Sequence, residues 1–230
     1  IRKDSMIKAF NIFEEKIKII SFYEVEENAD IDIKCSDDFV PLGRNLFAGG
    51  EGGPSRIIDA SLFKIIEKGD ILLYKDSKCS YPIIELHELG HVFGFSHSIN
   101  SNNIMYNTSN CEQRTGQDMI ELIKKLYSIE ALPDASMANI TAIKKGRYLD
   151  FNITILNEGL LKINFINLTI LANGKKIQTM SLGNIDIGYG RTLEAKNIRL
   201  PSRNIEKIDF VIDENNNIKE LNENNNFIQM

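Results

Sequence analysis

Residues 87 to 97 read His-Glu-Leu-Gly-His-Val-Phe-Gly-Phe-Ser-His and hold all 3 histidines of the 230-residue chain. Residues four apart on an α-helix share a face, so His87 and His91 can offer two imidazole nitrogens to one ion. Gly94 suits the positive φ that ends a helix and turns the chain back, which carries His97 round as a third donor. Three neutral imidazoles bind zinc at about 2.0–2.1 Å and leave a fourth tetrahedral position for water, as a catalytic site requires. Glu88 stands beside that ion without needing to ligate it, and a carboxylate so placed can act as a general base. A lone histidine reads more naturally as an ordinary core or surface residue. The eleven-residue pattern, complete with Glu and Gly, does not.

The pattern His87-Glu88-x-x-His91-x-x-Gly94-x-x-His97, followed by Ile104-Met105-Tyr106, resembles the metzincin class of zinc endopeptidases. Tyr106 directly after Met105 makes the likeness closest to the matrixins. The resemblance implies one catalytic Zn2+ on His87, His91 and His97, with Glu88 as base. It also implies Met105 as an apolar thioether floor beneath the histidines, which is packing and not ligation. Ala29 to Ile33 is similar to the strand after the first helix of that family, Gly69 to Tyr74 to its next long strand, and Gln117 to Tyr127 to its closing helix. The likeness runs from residue 3 to residue 128.

There are departures. No histidine is left for a second, structural zinc, and Asn107 replaces the usual proline after Met-Tyr, so the specificity pocket wall differs. The strand that normally precedes the first helix is expected to be short, displaced or missing, and no cysteine-switch propeptide is visible.

Phe47 to Pro54 is rich in glycine and reads as a turn; Ser55-Arg56-Ile57-Ile58-Asp59 after it reads as a short edge strand. The resemblance makes that strand a border of the cleft, pairing with an extended peptide by strand addition. Ser55, Arg56, Ile57 and Ile58, with Tyr106 and Asn107, are the candidate substrate contacts. No Gly-Lys-Ser/Thr follows the glycines, so they do not form a phosphate loop. A flexible connector is the plainer alternative.

The chain around the motif behaves as two segments. Hydrophobic residues make up 43% and charged residues 26%, ordinary for a globular protein, and the net charge of −5 argues against a nucleic-acid partner. No apolar run is long enough to cross a bilayer as a helix. No signal peptide is seen and Ile1 is not an initiator, so the sequence reads as a mature or trimmed form. Up to residue 132 the apolar spacing is helical in places such as Met119-Ile120-x-Leu122-Ile123-x-x-Leu126-Tyr127. From residue 133 to 230 it alternates, with strands expected at 148–156, 163–171, 177–182 and 205–212. Turn signals at Lys145-Gly146, Asn157-Glu158-Gly159 and Asn173-Gly174 separate several of them. About seven strands in that length predict an immunoglobulin-like β-sandwich. The fold class is therefore an α+β metzincin-like domain over 1–132, then an all-β sandwich over 133–230.

Asn152-Ile153-Thr154-Ile155-x-Asn157-x-Gly159, with Asp213 to Asn226 near the end, resembles the CARDB adhesion module. The resemblance implies a domain that contacts a cell-surface or extracellular protein. The Asn/Glu run reads as a turn whose side chains bond backbone before a last strand. Asp213, Glu220 and Glu223 are weak oxygen donors for Ca2+, since their spacing is not that of an EF-hand. Cys79 and Cys111 bracket the histidine motif and can form a bridge that leaves Cys35 unpaired; three free thiols fit the odd count equally well. Together these features favour a secreted or extracytoplasmic zinc endopeptidase acting on polypeptide. The alternative is an inactive zinc-containing adhesion protein, which an intact Glu88 disfavours.

Overall fold

The structure, a computed structural model, describes residues 2–43, 46–74 and 79–230. It divides into two compact units: Ile1–Ile57 with Ile66–Glu130, and Ile58–Ile65 with Ala131–Met230.

In the first unit three helices pack with a three-stranded sheet. Helix α1 (Arg2–Ile17) buries Met6, Ala9, Phe13 and Ile17, the spacing of one helical face. Strand β1 (Ile31–Cys35) runs parallel to β5 (Phe63–Leu73), with Ile31 opposite Gly69 and Cys35 opposite Leu73. Strand β4 (Gly50–Ala60) lies on the other side of β5, which gives the order β1-β5-β4. A small hairpin of β2 (Pro41–Gly43) and β3 (Leu46–Phe47) precedes it. Helix α2 (Ile83–Val92) is buried nearly all round, with Ile83, Leu86 and Leu89 in the core. Helix α3 (Gln117–Tyr127) presents Met119, Ile120 and Ile123 to that same core. Each such fully buried aliphatic side chain contributes about 1.5–3 kcal/mol. Helix α3 falls where the sequence predicts it, and β1 overlaps the strand expected over Ala29 to Ile33 but lies two residues later.

Two expectations need correction here. The glycine-rich stretch is not a turn ahead of a short strand; β4 begins at Gly50 and runs for 11 residues. Glycines are needed because this strand lies against α2. A Cβ on Gly52 would sit 2.4 Å from the Glu88 carbonyl oxygen, and one on Gly50 would sit 2.8 Å from Glu88 Cγ. Strand β5 is also longer than the sequence suggests, starting at Phe63.

The second unit carries seven strands: β6 (Ala135–Lys145), β7 (Tyr148–Asn157), β8 (Ile163–Ala172), β9 (Lys175–Ile185), β10 (Gly190–Arg199), β11 (Ile208–Ile212) and β12 (Phe227–Gln229). They form two sheets, β10-β7-β6 and β12-β11-β8-β9, as a sandwich requires. On β7, Leu149, Phe151, Ile153 and Ile155 point inward at alternate positions. Phe151 meets Phe210 of the other sheet edge-on at 5.2 Å between ring centres. Asn173 and Gly174 both take positive φ between β8 and β9, as a two-residue Asn-Gly hairpin turn demands.

The polar residues of this unit are structural. Asn157 donates to the Leu161 and Ile185 carbonyls and accepts from the Asp134 and Gly159 amides. The Asp213 carboxylate accepts the Ile218 amide at 2.7 Å, and Glu223 accepts the Glu220 amide at 2.9 Å. Glu220 accepts the Ala135 amide and the Asn226 side chain. These carboxylates are thus committed to the chain's own donors, and the weak Ca2+ expectation gains no support. The Asn/Glu run does turn into the last strand: Asn222 caps a 3-10 turn at Glu223–Asn225 just before β12.

Candidate metal centre

Helix α2 carries His87 and His91 one turn apart with Glu88 next to His87, and Gly94 at φ +86° reverses the chain after it. That reversal brings His97 back to the other two. The Nε2 atoms lie 3.1 Å apart for His87 and His91, 3.2 Å for His91 and His97, and 3.3 Å for His87 and His97. Among the described residues this is the one group of three such donors gathered closely enough to share an ion.

The proton positions decide what the cluster is. His87 Nδ1 faces the Ile104 carbonyl at 2.7 Å, and His91 Nδ1 faces the Phe95 carbonyl at 2.7 Å. A carbonyl oxygen can only accept, so both Nδ1 atoms carry the hydrogen. Burial lowers the pKa of His87 to about 4 and lowers that of His91 too, outweighing the carbonyl contacts that favour charge. Burial thus favours the neutral form of both rings, with the Nε2 lone pairs facing each other. Such an arrangement is repulsive unless a cation sits among them, and imidazole nitrogens of this kind suit zinc. The residues fit a metal ion.

Met105 is buried, and its sulfur would lie 2.2 Å from a Cβ on Gly90, between His87 and His91 in the chain. Gly90 is the residue that lets the two segments close up. The turn holding Met105 is fixed from both sides. Asn103 Oδ1 accepts the Met105 amide at 2.9 Å, and the Met105 carbonyl accepts the Ser98 amide at 2.7 Å. Because the Ile104 carbonyl holds His87, this turn orients a histidine as well as supporting it. A disulfide joins Cys79, ahead of α2, to Cys111, after the turn, and Cys35 is free and exposed.

Glu88 is buried beside this cluster, and burial raises its pKa to about 7, with the charge of Glu51 adding to the effect. The Gly52 amide donates to its carboxylate and opposes the shift. A carboxylate poised near neutrality is suited to taking and returning a proton.

The candidate substrate residues are spread out. Ser55, Arg56 and Ile57 are exposed on β4 and Ile58 is half-buried, beyond the Gly50–Gly52 segment that touches α2. Arg56 pairs with Glu67 of β5 at 2.6 Å. Tyr106 is half-buried and Asn107 exposed directly after Met105. The two carbonyls that orient the rings, and the glycines that admit β4, carry no signal in a single sequence. Asn103 and Gly90 carry none either, since Asn103 bonds the backbone and Gly90 meets a segment distant in sequence.

The sequence model of the Matrixin family matches residues 2–128 and that of the CARDB family matches residues 132–230. The chain belongs to the matrixin family, with a CARDB domain following. It is 31% identical to stromelysin-2 of Rattus norvegicus over 154 residues, covering 61% of this chain and 31% of that protein. The chain thus spans less than a third of that relative's length. Among solved structures, it is similar to the CARDB domain of a Pyrococcus furiosus protein in complex with di-metal ions, at 18% identity, 44% of this chain, 93% of that chain and a TM-score of 0.37. A solution NMR structure of that domain gives 19% identity, 44%, 94% and 0.37.

Proposed function

We propose that this chain is a zinc-dependent endopeptidase, with His87, His91 and His97 holding the ion and Glu88 as the general base. The observation that carries the reading is the convergence of the His87 and His91 Nε2 atoms at 3.1 Å, with His97 closing the group and both Nδ1 atoms turned to carbonyls. When bound there, zinc supplies Lewis acidity, bringing the pKa of water towards about 7 and polarising a carbonyl.

Glu88 does the proton work. Its carboxylate takes a proton from the water whose oxygen adds to the scissile carbonyl carbon. It then delivers that proton to the amide nitrogen as the C–N bond breaks, leaving a new carboxyl group and a free amine. The Gly52 amide, donating to Glu88, keeps the carboxylate turned towards β4 while it does so. The Ile104 carbonyl holds His87 in one tautomer and one orientation.

We assign residues 1–132 to hydrolysis and residues 133–230 to contact with a surface or extracellular protein. A disulfide is stable in oxidising compartments, which supports a secreted or extracytoplasmic location. No helix among the described residues is long and apolar enough to cross a membrane.

Metal analysis and cleavage of an unstructured protein test the reading, comparing the intact chain with Glu88→Ala. The expected result is one zinc per chain in both, with the cleavage rate falling about 10²–10⁴-fold in the variant. Zinc at full occupancy without hydrolysis by the intact chain would overturn the enzyme assignment; no zinc at all would overturn the ligands.

A further inference from the structure

Glu51 sits between Gly50 and Gly52, the two residues of β4 that lie against Glu88, and its own side chain is exposed. The Tyr74 hydroxyl, one residue past β5, donates a hydrogen bond to the Glu51 carboxylate, and the charge of Glu51 reaches Glu88. A phenol orients a carboxylate without cancelling its charge. Among the described residues no lysine or arginine pairs with Glu51, whereas Arg56 and Lys64 further along the same hairpin are paired with Glu67 and Asp59. Glu51 thus stands with its charge uncancelled on a strand whose glycines, the residues on either side of it, bring that strand against the helix of the metal site.

Among the described residues the sheet ends at β4, so this strand has an edge that no other strand of the sheet covers. An extended peptide added to such an edge places side chains about 4.5–5.5 Å from the strand residues directly opposite. Opposite charges across that gap attract, and like charges repel.

We propose that Glu51 determines substrate specificity, selecting a lysine or arginine side chain at one position of a peptide laid along β4 and rejecting an acidic one. The proposal rests on the endopeptidase reading above. It adds a requirement that zinc and Glu88 do not impose, since their chemistry is indifferent to side chains.

The test uses fluorogenic peptides that differ at a single position, carrying Arg, Gln or Glu in turn at each site flanking the cut. At one site the intact chain is expected to favour Arg over Glu by about five- to tenfold in kcat/KM at low salt. Glu51→Gln should bring that ratio close to one, and Glu51→Lys should invert it. Equal Arg-to-Glu ratios in the intact chain and Glu51→Gln at every site would overturn the proposal. Binding of the same peptides to Glu88→Ala, with and without Glu51→Gln, separates the two readings by fluorescence anisotropy. A charge preference in binding that Glu51→Gln abolishes, without cleavage by the intact chain, upholds Glu51 and sinks the endopeptidase. Cleavage with no Glu51-dependent preference does the reverse, and neither signal sinks both.

Discussion

In the first unit the Nε2 atoms of His87 and His91 lie 3.1 Å apart as two lone pairs; in the second, the buried Glu220 spends its oxygens on the Ala135 amide and the Asn226 side chain. Both are polar groups withdrawn from water at a cost. The difference lies in what answers them. Glu220, Asp213 and Asn157 are matched by donors of the chain itself, so they tie strand ends together and need nothing from outside. His87 and His91 have their Nδ1 atoms bonded to carbonyls and their Nε2 atoms aimed at one another, an arrangement suited to receiving a cation. Buried polarity is a scaffold where lone pairs meet hydrogens, and a site where they meet each other.

Removing the metal tests that contrast most strongly. An ion held at a thousand times its dissociation constant stabilises the state that binds it by about 4 kcal/mol. Chelation, or His91→Ala, is expected to lower hydrogen-exchange protection of α2 and of the Met105 turn while leaving β7 and β8 unchanged. Equal loss in both units, or none in α2, would break the distinction.

The disulfide is the next largest effect. Cys79 and Cys111 are 32 residues apart, and closing a loop of that length contributes about 3–4 kcal/mol in the chain-entropy model. Cys111→Ser should cut the urea midpoint for the first unit and spare the sandwich, followed by segment-resolved exchange.

The smallest effect sharpens the other side of the comparison. Burial lifts the pKa of Glu220 to about 7, with nearby Glu223 and Asp134 adding to it, against the bonds from Ala135 and Asn226. The folded state therefore holds this proton more tightly than the unfolded chain does. Its stabilisation is complete below an ordinary glutamate pKa and is lost as pH rises through about 7. The sandwich should lose about 1–3 kcal/mol between pH 4.5 and 7.5, and Glu220→Gln should flatten that slope. A slope unchanged in Glu220→Gln would assign the pH dependence to another group.

Some of this was legible in the chain and some was not. The helix over 117–127 and strands β7 and β8 follow from periodicity, because burying one face imposes its period on the residues that line it. The first half of strand β4 reads as a turn because four glycines between residues 49 and 53 carry the signature of a loop, while Ser55 to Asp59 is legible as strand. Their actual reason, the close approach of Glu88, is a contact between segments far apart in sequence. The disulfide was open from an odd count of 3 cysteines, and only the fold brings the Cys79 and Cys111 Cα atoms to 5.2 Å.

The sequence by itself determined the three clustered histidines, the glutamate beside them, and the change from helical to alternating pattern near residue 133. Those depend on residue type and local spacing, which a helix and a glycine turn convert directly into geometry. Tertiary structure alone decided what holds the donors in place. The Ile104 and Phe95 carbonyls, the Met105–Gly90 contact and the Gly52 amide on Glu88 are set by where the backbone runs, and backbone groups are the same in every residue.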